Sequence, residues 1–207
     1  TIGGWKVMVG AIILAGGQGT RYQKRKQFEL LNGIEMWKHV YQKALKVVEK
    51  DKIVVVGVDI EGGKTRSESV KMGLNFLSQK CDRVIILEAA RPLVTVEQIE
   101  KLINTNDASI TFALPLVNTI IGRDGTYFNR NDFYDLLTPQ AFDYKLLKNA
   151  YDTDKYRDTT DETVVMYREY GIKPRFILEG ENLIKVTYKR DMEIVKQMLE
   201  NGGKVQL

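Results

Sequence analysis

Six short apolar runs alternate with amphipathic helical patterns, and this alternation constrains the fold more than any other feature of the chain. The runs are "VGAIILA" (9–15), "KIVVVGV" (52–58), "RVIILEA" (83–89), "ASITFAL" (108–114), "KPRFILE" (173–179) and "LIKVT" (183–187). Helical patterns occupy 34–50, 66–80, 95–104, 143–150, 160–170 and 189–200. Strands that are apolar throughout are buried on both faces, and helices must supply the cover. Right-handed crossovers then give an α/β fold with an open, doubly wound, mostly parallel (Rossmann-like) sheet. The 207 residues suit a single domain over 1–207, with no internal repeat and no low-complexity linker.

One stretch breaks the alternation. Residues 117–136, "VNTIIGRDGTYFNRNDFYDL", carry two short β-prone pieces around an Asp-Gly, which reads as a hairpin. Projecting from an α/β body, it is either an ordinary surface hairpin or an arm that clasps a second subunit.

Composition removes several function classes. The single cysteine, Cys81, excludes an internal disulfide framework and a thiolate metal cluster. It reads as a small, partly buried residue near a strand start. The single histidine, His39, cannot build a multi-histidine zinc site. The 31 basic and 27 acidic residues are interspersed, and no aromatic-basic stripe marks a nucleic-acid surface. No apolar run approaches a membrane span, so the chain reads as soluble and cytoplasmic.

The functional signal begins at "AIILAGGQGTRYQKRKQF" (11–28). In an α/β sheet, ligands bind beyond the carboxyl ends of the strands. Directly after the first strand, Gly16, Gly17 and Gly19 follow Ala15, and removing side chains lets backbone N–H groups approach a phosphate or base. Arg21 and Lys26 follow with charge to neutralise a polyphosphate. The loop is not a Walker P-loop, because no Gly-Lys-Ser/Thr follows. The dinucleotide fingerprint fails too: Gly17 and Gly19 fit its first two glycines, but Tyr22 stands at the third.

Later segments add candidates. "EGGKTRSESV" (61–70) is a second Gly-Gly turn entering a helix, where Ser67 or Ser69 caps the helix or bonds a sugar or base. "LEAARPLV" (87–94) ends a strand with Glu88, a candidate Mg²⁺ ligand, and then Arg91, a candidate phosphate binder. "TTDETV" (159–164) has the acidic first turn of a capped helix. Lys185 stands inside an apolar run, where it either meets an anion or reaches solvent.

Taken in order, "ILAGGQGTRY", "KQF", "EGGKTRSESV", "EAARPLV", "NTI", "LTPQAF", "TTDETV" and "LIKVT" resemble the 2-C-methyl-D-erythritol 4-phosphate cytidylyltransferases and the related ribitol-5-phosphate cytidylyltransferases. The likeness spans roughly residues 9 to 200. It implies an enzyme that joins CTP to a polyol phosphate with Mg²⁺, giving a CDP-polyol and pyrophosphate. By that likeness Arg21, Lys26 and Lys185 are catalytic. Ala15, Gly16, Gly17, Gly19, Gly63 and Ser69 bind the nucleotide, and Glu88 holds the metal. Arg91, Thr119, Arg130 and Thr160 handle the acceptor, Thr119 and Arg130 from a partner's arm in a homodimer.

The chain also departs from that pattern. Leu87-Glu88 replaces the usual His-Asp, and Arg25 stands where proline is usual. Asn118 replaces an aspartate, and Tyr127 a threonine. Only residues 59–61 join "IVVVGV" to "EGG", where the family has a further helix and strand, so the sheet is expected to lack an edge strand. The rival readings are a sugar-1-phosphate nucleotidyltransferase, whose glycine-rich opening is similar, and a nucleotide-binding protein without turnover.

Overall fold

The computed structural model describes residues 7–17, 22–77 and 81–200. In the first half, β1 (Val9–Leu14), β2 (Leu30–Leu31), β3 (Ile34–Glu35) and α1 (Met36–Ala44) precede β4 (Ile53–Val56), α2 (Arg66–Leu77) and β5 (Arg83–Glu88). Then come α3 (Val96–Ile103), β6 (Ser109–Pro115), β7 (Ile120–Ile121), β8 (Tyr127–Phe128) and β9 (Tyr134–Asp143). The remaining elements are α4 (Tyr144–Asp152), α5 (Glu162–Tyr170), β10 (Arg175–Ile177) and α6 (Lys189–Glu200).

Six strands form the central sheet in the order β10-β6-β9-β5-β1-β4. β1 runs parallel to both β4 and β5, and β10 runs parallel to β6. β9 is antiparallel to β5 and β6. The expected α/β sheet, mostly parallel and covered on both faces, is therefore present. The alternation of side chains along each strand feeds two cores. Ala11 and Ile13 of β1 and Ile85 and Leu87 of β5 pack with Val40 of α1 and Ile99 and Leu102 of α3. Ile12, Val84 and Ile86 point the other way, to Val70 and Leu74 of α2, Leu147 of α4 and Val165 of α5. Each fully buried aliphatic contributes about 1.5–3 kcal/mol, which explains why these strands carry no polar face. Cys81 is buried in the second core, and burial pushes its thiol above the ordinary range. His39 bonds the Leu31 carbonyl at 2.8 Å, a structural role.

The segment read as a strand over 183–187 forms none. Its single backbone bond to the body is Val186 N–H to the Ala90 carbonyl at 2.8 Å, which is a tether and not a ladder. Val186 instead anchors a third core with Met192 and Val195 of α6 and Leu31 and Met36 beside β3. Conversely, β9 occupies a central place in the sheet that the apolar pattern did not suggest. Its sequence, "YDLLTPQAFD", contains a proline, which ordinarily argues against a central strand. The ladder accommodates it. Thr111 pairs with Gln140 and Phe112 with Leu137, so Thr138 and Pro139 fall in a register shift where no N–H is required.

The hairpin is present. β7 and β8 pair antiparallel around a turn in which Gly125 has φ +89°, and the Asp124 side chain accepts from Thr126 N–H at 3.1 Å. In the central sheet β4 is one edge, joined to α2 by residues 57–65 without an intervening helix or strand. That is the trimmed edge expected from the short connection.

Candidate active site

The chain winds from β1 outward to β4, then returns to β5 on the other side of β1, so the topological switch lies between β1 and β5. Ligands of such sheets sit at the carboxyl ends of the strands at that switch. Leu14 and Glu88 are register partners there, and a cavity of about 360 Å³ opens above them.

One wall is a shelf of glycine backbone. Ala15 N–H extends the sheet to the Val56 carbonyl at 2.8 Å. Behind it the chain turns at Gly57, with φ +101°, and a Cβ at Gly57 would stand 2.6 Å from the Gly16 Cα. Gly62 is also close, its Cβ position 3.1 Å from the same atom. Gly16 is thus pressed between two other glycines, which leaves its outer side open to the cavity. The buried Gln27 side chain donates to the Gly17 carbonyl at 3.1 Å and fixes the far end of the shelf. Gly63 cannot carry a side chain either, since its Cβ would lie 2.3 Å from that of Glu68. Its N–H donates to Ser69 Oγ at 3.0 Å, and that hydroxyl donates to the Thr65 carbonyl at 3.1 Å.

The opposite wall carries charge. Glu88 is almost completely buried, yet two cations meet its two oxygens: Arg66 Nε at 3.3 Å on Oε1 and Lys185 Nζ at 2.5 Å on Oε2. Burial pushes this carboxyl up, but Lys185, Arg66 and Arg91 outweigh it and hold it at about 2. The carboxylate is therefore ionised at any physiological pH. Arg66 also grips the fully buried Glu162 with one nitrogen, at 2.6 and 2.8 Å. Burial works against the guanidinium's charge, but Glu162 and Glu88 hold its proton more strongly than usual. Tyr151 donates its hydroxyl to Glu162 at 3.1 Å. The N-cap Asp161, bonded by Thr163 N–H and by Gln140 Nε2, both at 2.8 Å, positions the first turn of α5 that presents Glu162.

The site residues expected from sequence divide into four groups. Ala15, Gly16, Gly17, Lys26, Gly63, Ser69, Glu88 and Lys185 line this one cavity. Gly19 and Arg21 lie outside the described residues. Arg91 and Thr160 border the site without lining it. Arg91 donates to Thr138 Oγ1 at 2.8 Å and to the Leu183 carbonyl, so it straps the 183–187 segment over the strand ends. Thr160 is exposed beside the Asp161 cap. Thr119 and Arg130 sit on the arm, both exposed, with Arg130 donating to the Val117 carbonyl. No residue of 117–133 lines the cavity of its own chain.

Sequence reasoning missed Gln27, Lys64, Thr65 and Arg66 on the cavity wall, and Glu162 behind it. The pairing of Arg66 with Glu162 spans 96 positions and leaves no periodic trace. Gly57 reads as part of the apolar run 52–58, although the strand ends at Val56.

The family model for 2-C-methyl-D-erythritol 4-phosphate cytidylyltransferase (IspD) matches residues 9–201. The chain belongs to that family. A relative of that name from Thermotoga neapolitana is 33% identical, over 94% of this chain and 98% of its own length. The alignment spans 222 positions against 207 residues here, so the relative carries segments this chain lacks. Among solved structures, the bifunctional IspDF from Campylobacter jejuni aligns with a TM-score of 0.78 and 29% identity over 90% of this chain. This chain spans 53% of that protein's length. The 4-diphosphocytidyl-2C-methyl-D-erythritol synthase from Anaerococcus prevotii shares the fold at a TM-score of 0.78 and 24% identity, over 94% and 99% of the two chains.

Proposed function

We propose that this IspD family member transfers CMP from CTP to 2-C-methyl-D-erythritol 4-phosphate, releasing pyrophosphate. The observation that carries the reading is the convergence of a glycine shelf, Lys26, Lys185 and Glu88 on one cavity at the β1/β5 switch. An acceptor phosphate is already a nucleophile at neutral pH, so the reaction needs no general base. One of its oxygens forms the new bond to the α-phosphorus of CTP while the bond to the β-phosphate oxygen breaks. Catalysis then rests on positioning and on charge neutralisation.

In this reading the backbone at Gly16 and Gly17 cradles the triphosphate, and Gly63 and Ser69 face the nucleoside. Lys26 and Arg21 neutralise charge on the α-phosphate and the departing pyrophosphate. Lys185 orients the acceptor phosphate from the opposite wall. Among the described residues no three acidic, histidine or cysteine side chains converge, so these residues form no metal cage. A lone carboxylate fits Mg²⁺ bound chiefly through phosphate and water, the usual manner for that ion. Glu88 is the residue that would hold it, and the ion would supply further charge neutralisation on the triphosphate. A bound ion would share Glu88 with Arg66 and Lys185, which already contact its two oxygens.

The arm supports a homodimer. Val117, Ile121, Tyr127, Phe128 and Phe133 are all exposed on this one short arm, and apolar surface gathered in one place is what an interaction surface presents. In the dimer, Thr119 and Arg130 reach the acceptor end of the neighbouring subunit's cavity. We place the enzyme in the cytoplasm; no helix among the described residues is long and apolar enough to cross a membrane.

Pyrophosphate release tests the reading. The expected result is release with CTP, Mg²⁺ and 2-C-methyl-D-erythritol 4-phosphate, and little with UTP, ATP or GTP. Activity with ribitol 5-phosphate or a sugar phosphate in its place would reassign the acceptor. Nucleotide binding without release from any acceptor would refute turnover.

A further inference from the structure

The cavity wall contains an ion-pair chain longer than substrate binding requires. Tyr151 from α4 holds Glu162 of α5 at 3.1 Å. Glu162, with no exposed surface, holds Arg66 of α2 through two contacts. Arg66 meets Glu88 at the end of β5, and Glu88 meets Lys185 on the 183–187 segment. Five separate parts of the chain are thereby tied across one side of the site. Glu162 lies behind the wall and does not line the cavity. A carboxylate buried this fully is costly unless it is paired, and here its partner is a residue of the wall.

We infer that Arg66 and Glu162 form a positioning pair for the transfer reaction: Glu162 fixes the guanidinium, and the guanidinium holds Glu88 so that its other oxygen presents Lys185 at the acceptor side. Geometry favours this over direct phosphate binding by Arg66. One nitrogen of the guanidinium is committed to Glu162 and its Nε to Glu88. Lys185, in contrast, has a single carboxylate partner among the described residues and is 39% exposed, so it is accessible to a ligand. The inference rests on the cytidylyltransferase reading for its kinetic arm but not for its structural arm.

The test is a double-mutant cycle with Arg66→Lys, Glu88→Gln and their combination, plus Glu162→Gln as a variant of unchanged size. Groups that orient a metal or substrate ligand from behind typically matter by about 10–100-fold. Arg66→Lys should therefore lower kcat by about 10–100-fold, while CTP affinity measured calorimetrically without acceptor changes by less than about threefold. Glu162→Gln should show the same split, more weakly. In the Glu88→Gln background, Arg66→Lys should cost little more, because residues acting through one another are not additive. Full additivity with weakened CTP binding would mean that Arg66 touches the triphosphate itself, and the inference would fall. A lowered melting temperature with unchanged kcat would reduce the pair to a structural bridge and overturn it too. Amide exchange supplies the arm independent of turnover. In Arg66→Lys the protected N–H groups of Arg91 and Val186, bonded to the Glu88 and Ala90 carbonyls, should exchange faster than global unfolding accounts for. Unchanged exchange at both would refute the coupling even if the wild-type enzyme used another acceptor, whereas a wild type without activity would count only against the function.

Discussion

Replacing Lys43 by methionine should stabilise the protein at neutral pH and weaken catalysis. Lys43 lies near the end of α1, half-buried, and donates to the Pro92 carbonyl at 2.6 Å. Burial, with Lys46 nearby, lowers its ammonium from 10.5 to about 8. That displacement corresponds to about 3 kcal/mol of penalty for carrying the charge in the folded state. The sign follows from proton binding. Below pH 8 the lysine is charged folded and unfolded, so folding bears the whole penalty. Between pH 8 and 10.5 the folded state releases its proton first, and the penalty fades at about 1.4 kcal/mol per pH unit. Methionine has neither the charge nor the titration, but it leaves the Pro92 carbonyl unpaired at a cost of about 1 kcal/mol. Urea unfolding should therefore find Lys43→Met more stable by about 2 kcal/mol at pH 7, with the difference vanishing or reversing by pH 10. A difference that stays constant from pH 7 to 10 would refute the argument. Pro92 follows directly on Arg91 in the loop that begins at Glu88, so Lys43 braces the charged wall from outside the cavity. The same variant should accordingly lose severalfold in kcat, a trade of stability against a positioned site.

Three further outcomes follow from the geometry. Gly57→Ala forces a side chain into a left-handed backbone and against Gly16, and should cost about 2–4 kcal/mol in chemical denaturation while weakening CTP binding in calorimetry. Glu88, held at about 2 against 4.5 unfolded, contributes stability above pH 4.5 that disappears as the pH falls through 2. Glu88→Gln should flatten the acid limb of the stability curve across that window. If Arg130 serves the neighbouring subunit, mixing an inactive Arg130→Ala variant with an inactive Lys185→Ala variant should restore up to about a quarter of wild-type activity after subunit exchange. No recovery in a mixture shown by sedimentation to contain dimers would place the arm's function in its own subunit.

The fold was legible where burial acts on both sides of an element. The runs at β1, β4, β5 and β6 are apolar because helices cover both faces, and the pattern states that directly. β9 was hidden because it holds Thr138, Pro139 and Gln140, polar or donor-poor residues that only a register shift against β6 makes tolerable. The reverse error at 183–187 has the same origin. Leu183 and Val186 are apolar because they enter two different cores, so the stretch looks like a strand while making a single backbone tether. For the site, local motifs identified the shelf and Glu88, since close backbone approach demands glycine and strand ends demand polar termini. Arg66 and Glu162 left no local sign, because their importance lies in a contact between helices far apart in sequence.

In the proposed reading, this division explains how such a site would work without a histidine or a reactive cysteine. The residues legible in sequence, the glycines and the lysines, line the cavity, and in the proposed reading they meet ligand and need only small size or positive charge. The residues that were not legible determine where that charge stands. Glu88 alone would be a costly buried carboxylate, and Lys185 alone a mobile ammonium. Coupled through Arg66 to a carboxylate with no access to water, they become fixed charges on a rigid wall. A pocket that catalyses by neutralising developing charge gains from such fixation, because preorganised charges need not rearrange as the reaction proceeds. The buried Glu162 therefore supports the chemistry without touching it. Its loss should be felt at the acceptor side, where Lys185 stands, before it is felt at the glycine shelf.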